Sequence, residues 1–212
     1  MKMSQRVAWA FVSILAVAIA APNLLPAGEG AADGWTALVN GTDLQGWKFH
    51  FGKQGAGNDG TFTVKDGILI CSGTPAGYMY TEKSYGNYTL QCAFAFKRPA
   101  GLQDDAEFRG NSGCLIHVGQ KNALGVWPRS IEVQGAYRQL GIILPIPRDL
   151  KCRHTFDKQA LARVIKPVGE FNQLEIEVKG GNMVISVNGA VVSTVSDCEL
   201  TQGPIGLQSE GA

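Results

Sequence analysis

Two side chains three and five residues into "RSIEVQGAY" (Arg129 to Tyr137) are placed to do polar chemistry together. Ile131 and Val133 alternate there with Glu132 and Gln134, the pattern of a strand, so the carboxylate and the amide share the face opposite the apolar pair. In "NSGCLIHVG" the alternation sets His117 against Cys114, Ile116 and Val118, and in "GPIGLQSEG" it sets Gln208 against Ile205 and Leu207. If these strands are neighbours in one sheet, a carboxylate, two amides and an imidazole converge on one surface. That set suits the vicinal hydroxyls of a sugar, each of which donates and accepts hydrogen bonds. Trp127, in "GVWPRS" just ahead of the Glu132 strand, would add an apolar platform for a sugar ring, as would Tyr137 or Tyr78. Exposed strand faces are ordinarily polar, so alternation alone fits a merely solvated face equally well.

The elements that would carry these residues read as strands throughout. "TFTVKDGILICSG" is two short runs around Asp66-Gly67, a hairpin signal. "NYTLQCAFAFK" puts Tyr88, Leu90, Cys92, Phe94 and Phe96 on one face. "NQLEIEVKGGNMVISVNGAVVSTV" holds three strands divided at Gly180-Gly181 and Asn188-Gly189, dipeptides suited to positive φ. In its first strand, Leu174, Ile176 and Val178 face in and Glu175 and Glu177 face out. Many short strands between turn signals predict an all-β fold, a two-sheet antiparallel β-sandwich. The stretch from Gly141 to Pro167, with Pro145 and Pro147, reads as a long loop with a short helical turn near Asp157 to Arg163.

The chain opens MKMSQRVAWAFVSILAVAIAAP, with Lys2 and Arg6 ahead of an apolar run and Ala18-Ile19-Ala20 as a small-x-small cleavage site. Residues 1–20 are therefore expected to be a cleavable signal peptide, 21–34 a flexible lead-in and 35–212 one domain. A secreted or periplasmic protein follows, with no membrane attachment after cleavage. The net charge is +1 and the basic residues are scattered, which leaves no electrostatic footprint for nucleic acid. Of five cysteines, Cys92 and Cys114 fall on apolar strand faces and read as core residues, whereas Cys152 and Cys198 lie in loop-like or strand-end contexts and are the favoured pair. No Cys/His spacing resembles a zinc site.

Six motifs in order resemble the 3-keto-disaccharide hydrolase domain family. "ALVNGTDLQGW" resembles its opening signature, "YGNYTLQCAFAF" its central strand, "GNSGCLIHV" its Asn-Ser-Gly strand and "IEVQ" its Glu-x-Gln strand. "VGEFNQLEIEVKGGNMVISVNGAVV" is similar to its Gly-Glu-aromatic-Asn segment and hairpin, and "GPIGLQSEG" to its terminal signature. The resemblance spans Trp35 to Ala212. It implies a concanavalin-like jelly roll and an oxidised glycoside as ligand. A ketone at carbon 3 of a sugar acidifies the hydrogen on carbon 2; a base removes it, and the enolate expels the glycosidic oxygen from carbon 1. Water added to the unsaturated product completes a net hydrolysis, a route that needs a base, an electrophile on the carbonyl oxygen and an acid for the leaving group.

On the matching positions the resemblance implies Glu132 as general base or metal ligand and His117 as its acid/base partner. Gln134, Asn111 and Gln208 would bind hydroxyls or polarise the carbonyl, with Trp127 as a substrate platform. Asn111-Ser112-Gly113 reads equally as a turn. The sequence assigns no certain cofactor, but a divalent metal is possible as an electrophile for the ketone; it would find only oxygen and imidazole donors, which suit calcium, magnesium or manganese. The alternative is a non-catalytic carbohydrate-binding module using the same sheet face, and a third reading is a structural envelope protein. Two departures stand out: Phe62 and Phe171 replace tryptophans usual in the family, and, if the further strand usual after the Gly-Leu-Gln signature is missing, a sheet edge or the pairing of the N-terminal segment is left open.

Overall fold

The structure, a computed structural model, describes residues 5–13, 34–52 and 57–211. In chain order its strands are β1 (Gln5–Ser13), β2 (Trp35–Ala37), β3 (Trp47–Phe51), β4 (Phe62–Lys65), β5 (Ile68–Cys71), β6 (Gly77–Thr81) and β7 (Asn87–Phe96). They continue with β8 (Gly113–Ile116), β9 (Ser130–Gln134), β10 (Ile143–Ile146), β11 (Arg153–Phe156) and, after the helix α1 (Lys158–Val164), β12 (Asn172–Lys179). The last three are β13 (Asn182–Val187), β14 (Ala190–Ser196) and β15 (Gly206–Ser209). Among the described residues they form two sheets. The larger runs β11-β14-β13-β12-β7-β1-β5-β4, with β2 beside β1; the smaller runs β10-β9-β8-β15-β6-β3. This is the expected all-β sandwich.

Turn chemistry explains the hairpins. Asp66 and Gly67 take φ of 52° and 77° between β4 and β5, and Asn188 and Gly189 take 47° and 86° between β13 and β14. Both central residues of such a tight hairpin turn need positive φ, which Asn, Asp and Gly tolerate. Asn188 does more than turn the chain: its Oδ1 accepts from Gln173 N at 2.8 Å and its Nδ2 donates to Val164 O at 2.7 Å and Asn172 Oδ1 at 2.8 Å.

The core lies between the sheets. Tyr88, Leu90, Cys92, Phe94 and Phe96 from β7, with Leu174, Ile176 and Val178 from β12, meet Cys114, Ile116, Ile131, Val133 and Leu207 from the smaller sheet. A second apolar cluster lies on the far side of the smaller sheet: Tyr78, Leu115, Val118 and Ile146, with Tyr80 and Trp127 against it. The smaller sheet is thus covered on both faces.

The pairing of β1 and the stretch from Gly141 to Pro167 depart from expectation. Among the described residues every pairing outside β1 is antiparallel, but β1 runs parallel to β2, β5 and β7. The expected signal peptide lies outside the described residues except for this strand, which fills the position between β7 and β5; the lead-in also lies outside them up to Asp33. The stretch from Gly141 to Pro167 is not one loop: β10 and β11 are the edge strands of the two sheets, so Pro145 costs no ladder bond that a neighbour needs. Its helical turn is α1, capped by Asp157 Oδ1 accepting from Gln159 N and Ala160 N, each at 2.9 Å.

Candidate functional site

The register of the smaller sheet brings its polar residues together. Leu115 on β8 lies opposite Glu132 on β9, and Gly113 lies opposite Gln134. On the other side of β8, Gly206 and Leu207 of β15 pair with Leu115 and Cys114, and the ladder ends at an Asn111–Glu210 bridge. Gln208 therefore falls beside Gly113. Glu132, Gln208, Asn111 and Glu210 all face away from the core, on the side of the second apolar cluster.

Gly113 makes the meeting possible. A Cβ there would stand 2.6 Å from Gln208 Oε1 and 3.2 Å from Glu132 Oε1, so the two side chains lean together into the space that a larger residue would fill. Gln208 is 1% exposed, and neither its Oε1 nor its Nε2 has a hydrogen-bond partner of good geometry; Asn111 Oδ1 is in the same condition. Leaving such a group unbonded costs about 1–3 kcal/mol, which marks the spot as one shaped for something other than stability.

Burial pushes the Glu132 carboxyl up to about 7, the neighbouring Glu210 charge adds to the rise, and the Gln208 amide opposes it weakly. Burial raises Glu210 as well. Near neutral pH Glu132 therefore exchanges its proton readily, as a general base or acid must. Glu210 is not among the residues that the motifs single out, although period two from Gln208 places it on the same face. It lies just past the end of β15, where the strand pattern stops.

An aromatic wall adjoins the polar patch. Tyr78 pairs with Gln208 across β6 and β15, and its ring lies 5.3 Å from His50 and 5.6 Å from Tyr80. The segment between β8 and β9 doubles back as a hairpin, with Gly119 N donating to Arg129 O at 2.8 Å and Ala123 N to Trp127 O at 2.8 Å. It reaches the sheet's other edge strand, where His50 Nε2 and Asn122 Oδ1 are 2.7 Å apart and Lys121 Nζ stands 5.5 Å from the Tyr80 ring centre. This fold-back seats Trp127 against the cluster of Tyr78, Leu115 and Ile146.

Other expected members of the site lie elsewhere. His117 has φ 57°, which breaks the alternation and exchanges the faces of residues 117 and 118. Val118 joins the outer cluster, while the His117 ring turns inward, edge-on to Tyr88 at 6.4 Å, with Nδ1 3.1 Å from the Leu200 carbonyl. Burial holds its pKa below the ordinary value. The convergence of His117 with Glu132 is therefore not what the structure shows. Gln134 is on the expected face, but its Oε1 is engaged by Gly135 N at 2.8 Å and Ala136 N at 3.0 Å, a local turn. Tyr137 packs against Phe108 and donates to Asp105 Oδ2 at 3.2 Å, away from the patch.

The oxygens available to a hard cation are the Glu132 and Glu210 carboxylates and the Gln208 and Asn111 amide carbonyls. Among the described residues no three His, Cys, Asp or Glu side chains converge as metal ligands do.

The family model for the 3-keto-alpha-glucoside-1,2-lyase-like domain matches residues 34–212. The chain belongs to this family. Its architecture extends to solved structures of low identity. One, a provisionally assigned glycosyl hydrolase from Parabacteroides distasonis, is 20% identical with a TM-score of 0.59, over 84% of this chain and 88% of that one. A second from the same organism is 22% identical with a TM-score of 0.50, over 76% and 90%. A carbohydrate-binding module from Bacillus subtilis aligns at 13% identity and a TM-score of 0.45, over 77% and 86%. These likenesses concern the fold. Comparison with curated proteins finds no match.

Proposed function

We propose that the outer face of the smaller sheet binds a 3-keto-glycoside and that Glu132 removes its carbon-2 proton. The observation that carries this reading is the Glu132–Gln208–Asn111–Glu210 patch: a carboxyl poised near 7 beside the buried Gln208 amide and an Asn111 carbonyl oxygen that lack hydrogen-bond partners of good geometry. Family membership supplies the reaction class, and the provisional assignment of the two Parabacteroides proteins as glycosyl hydrolases agrees with a carbohydrate substrate.

In this reading the ionised Glu132 accepts the proton from carbon 2. The electron pair left behind forms the bond between carbons 1 and 2, with the ketone at carbon 3 sharing the developing charge. The glycosidic oxygen then leaves carbon 1 with its electron pair and takes a proton, so the products are an unsaturated keto-sugar and an alcohol. The Gln208 Nε2 and Asn111 Nδ2 hydrogens supply donors for the carbonyl or ring hydroxyls. Glu210, whose carboxyl burial raises above the ordinary range, is the nearest acid on the same face for the departing oxygen. Tyr78, Tyr80 and Trp127 give the sugar ring an apolar wall. His117 has no part, because its ring faces the core. A divalent ion, if this site takes one, would be held by the oxygen donors named above and would polarise the ketone. Cleavage of the apolar N-terminal run, which would place the reaction in a secreted or periplasmic setting, would remove β1 from between β7 and β5 and leave the facing edges of those two strands unpaired.

The test is turnover of a 3-keto-glucoside bearing a chromogenic leaving group, by the wild type and by Glu132→Gln, with and without added divalent metal. The reading expects release by the wild type, loss in the variant, and retained binding of the keto-sugar. Binding without release by the wild type would make the same face a carbohydrate-binding module.

A further inference from the structure

We propose that Cys152 and Cys198 form a disulfide that fastens the crossover between the two sheets, leaving Cys71, Cys92 and Cys114 as thiols. The inference is independent of the catalytic reading. Cys152 immediately precedes β11, and Cys198 follows β14 by two residues. These strands pair antiparallel with Arg153 opposite Ser196. The pairing is extended past the ladder's end, where Glu199 N donates to Lys151 O at 3.0 Å and Lys151 N donates to Glu199 Oε1 at 2.8 Å. The two cysteines sit near each other inside this clasp as separate thiols, each acting on the other's proton affinity.

Cys198 cannot drift from its place. Its N donates to Gly181 O at 3.1 Å, and a Cβ on Gly181 would stand 2.2 Å from Cys198 O, so the glycine lets the two backbones touch. Cys152 remains half-buried, within reach of an external disulfide, whereas Cys198 is buried. Cys92 and Cys114 also meet, but in the middle of the core between the sheets, 4% and 3% exposed, where no oxidant can enter without separating the sheets. Cys71 stands apart from the other four, its Sγ donating to Gln208 O at 3.8 Å.

The chemistry is an exchange with a disulfide carrier. The Cys152 thiolate attacks the carrier's S–S bond and releases one carrier thiolate. The Cys198 thiolate then attacks the mixed disulfide and releases the second, and the two leaving thiolates take up the two thiol protons. The protein pair is oxidised by two electrons and one carrier disulfide is reduced. Burial raises Cys152 to about 11, so the exchange is slow without a catalyst or alkaline pH.

The location gives the bond a role. The chain from Pro147 to Cys152 connects β10, the neighbour of the Glu132 strand, to β11 in the other sheet. Glu199, beside Cys198, also bonds Arg129 at 2.7 Å, just ahead of β9. A link at Cys152–Cys198 therefore ties the edge of the larger sheet to both the entry and the neighbour of the strand that carries Glu132.

The experiment incubates the folded full chain with oxidised glutathione at pH 8.5, blocks remaining thiols by alkylation, and maps the peptides by mass. The expected result is a single Cys152–Cys198 link, with three of the five thiols alkylated after denaturation. Oxidation should raise Tm by about 5–10 °C, a gain absent from the Cys152→Ser/Cys198→Ser double variant and retained by Cys92→Ser. Glutathione trapped on Cys152 without closure, five thiols alkylated, or a Cys92–Cys114 link instead would each overturn the proposal. So would a Cys152–Cys198 link that leaves Tm unchanged, since the crossover would then not be fastened by it.

Discussion

The strands β12 and β9 carry the same alternating pattern and have opposite fates. In β12 Leu174, Ile176 and Val178 are buried, while Glu175 and Glu177 stand toward water. In β9 Ile131 and Val133 are buried, and so are Glu132 and Gln134 between them. The difference lies in what covers the far face. The outer face of β12 leaves Glu177 exposed and Glu175 half-buried, whereas β9 belongs to a sheet whose outer side carries Tyr78, Leu115, Ile146 and the folded-back Trp127 segment. A carboxylate on a bare face keeps its water and is inert; one on a covered face loses water, and its proton becomes a chemical resource. Alternation sorts side chains into two faces and says nothing about which face is closed.

The largest expected effect separates the two glutamates directly. Glu132→Gln should lower kcat on a 3-keto-glucoside by about 10²–10⁴-fold, the usual loss for removing a general base, with KM little changed. The second prediction uses pH. The folded-state pKa of Glu132 is raised from 4.5 to about 7, so the folded protein holds this proton more tightly than the unfolded chain. That contribution is fully present below the ordinary carboxyl pKa and is lost as pH rises through about 7. Urea unfolding of the wild type should therefore show a loss on the order of 3 kcal/mol between pH 4.5 and 8, reduced by any rearrangement around the site. Glu132→Gln should flatten most of this slope. A slope equally steep in the variant would mean that another buried acid carries it, with Glu210 first in line.

Much of the fold is legible in the sequence because hairpins announce themselves. Asp66-Gly67 and Asn188-Gly189 can be read as turns since few residues accept positive φ twice running. The inward sets of β7 and β12 are legible for the same kind of reason, a strict period of two. The site is legible only in part. Glu132 and Gln208 meet as expected, but the requirement for Gly113 between them is a property of the register, and no local pattern states it. His117 defeats the alternation through a single left-handed residue, a conformation uncommon outside glycine and here unmarked by any turn dipeptide. Strand β10 escapes the sequence because Pro145 and Pro147 read as loop, and only the topology shows that it is an edge where proline is tolerated; β11 is a short, mostly exposed edge strand with no buried face to read.

Gly113→Ala gives a smaller effect and tests the register. The added methyl meets Gln208 Oε1 at 2.6 Å and Glu132 Oε1 at 3.2 Å, with the Val133 carbonyl also at 3.2 Å. Gly113 has no positive φ that a side chain would strain. The substitution should therefore disturb side-chain placement more than fold, costing about 1–2 kcal/mol of stability and about tenfold in kcat on the keto-glucoside. Stability lost with kcat intact would show that Glu132 works without Gln208 beside it.

The smallest effect is the most exacting for the contrast between the two strands. Glu175 on β12 accepts a hydrogen bond from Gln91 across the ladder on β7, so it is not idle. The pair nevertheless lies on the uncovered face, where water replaces whatever the partner supplied. Glu175→Gln keeps the shape and an acceptor oxygen and removes only the charge. It should shift unfolding free energy by no more than about 0.5 kcal/mol, with no change in kcat. Measured beside Glu132→Gln, it separates the effect of a covered sheet face from that of a glutamate on a strand. A loss of kcat from Glu175→Gln as large as that from Glu132→Gln would mean that the face of β12 takes part in the chemistry, and the proposed division of labour between the sheets would fail.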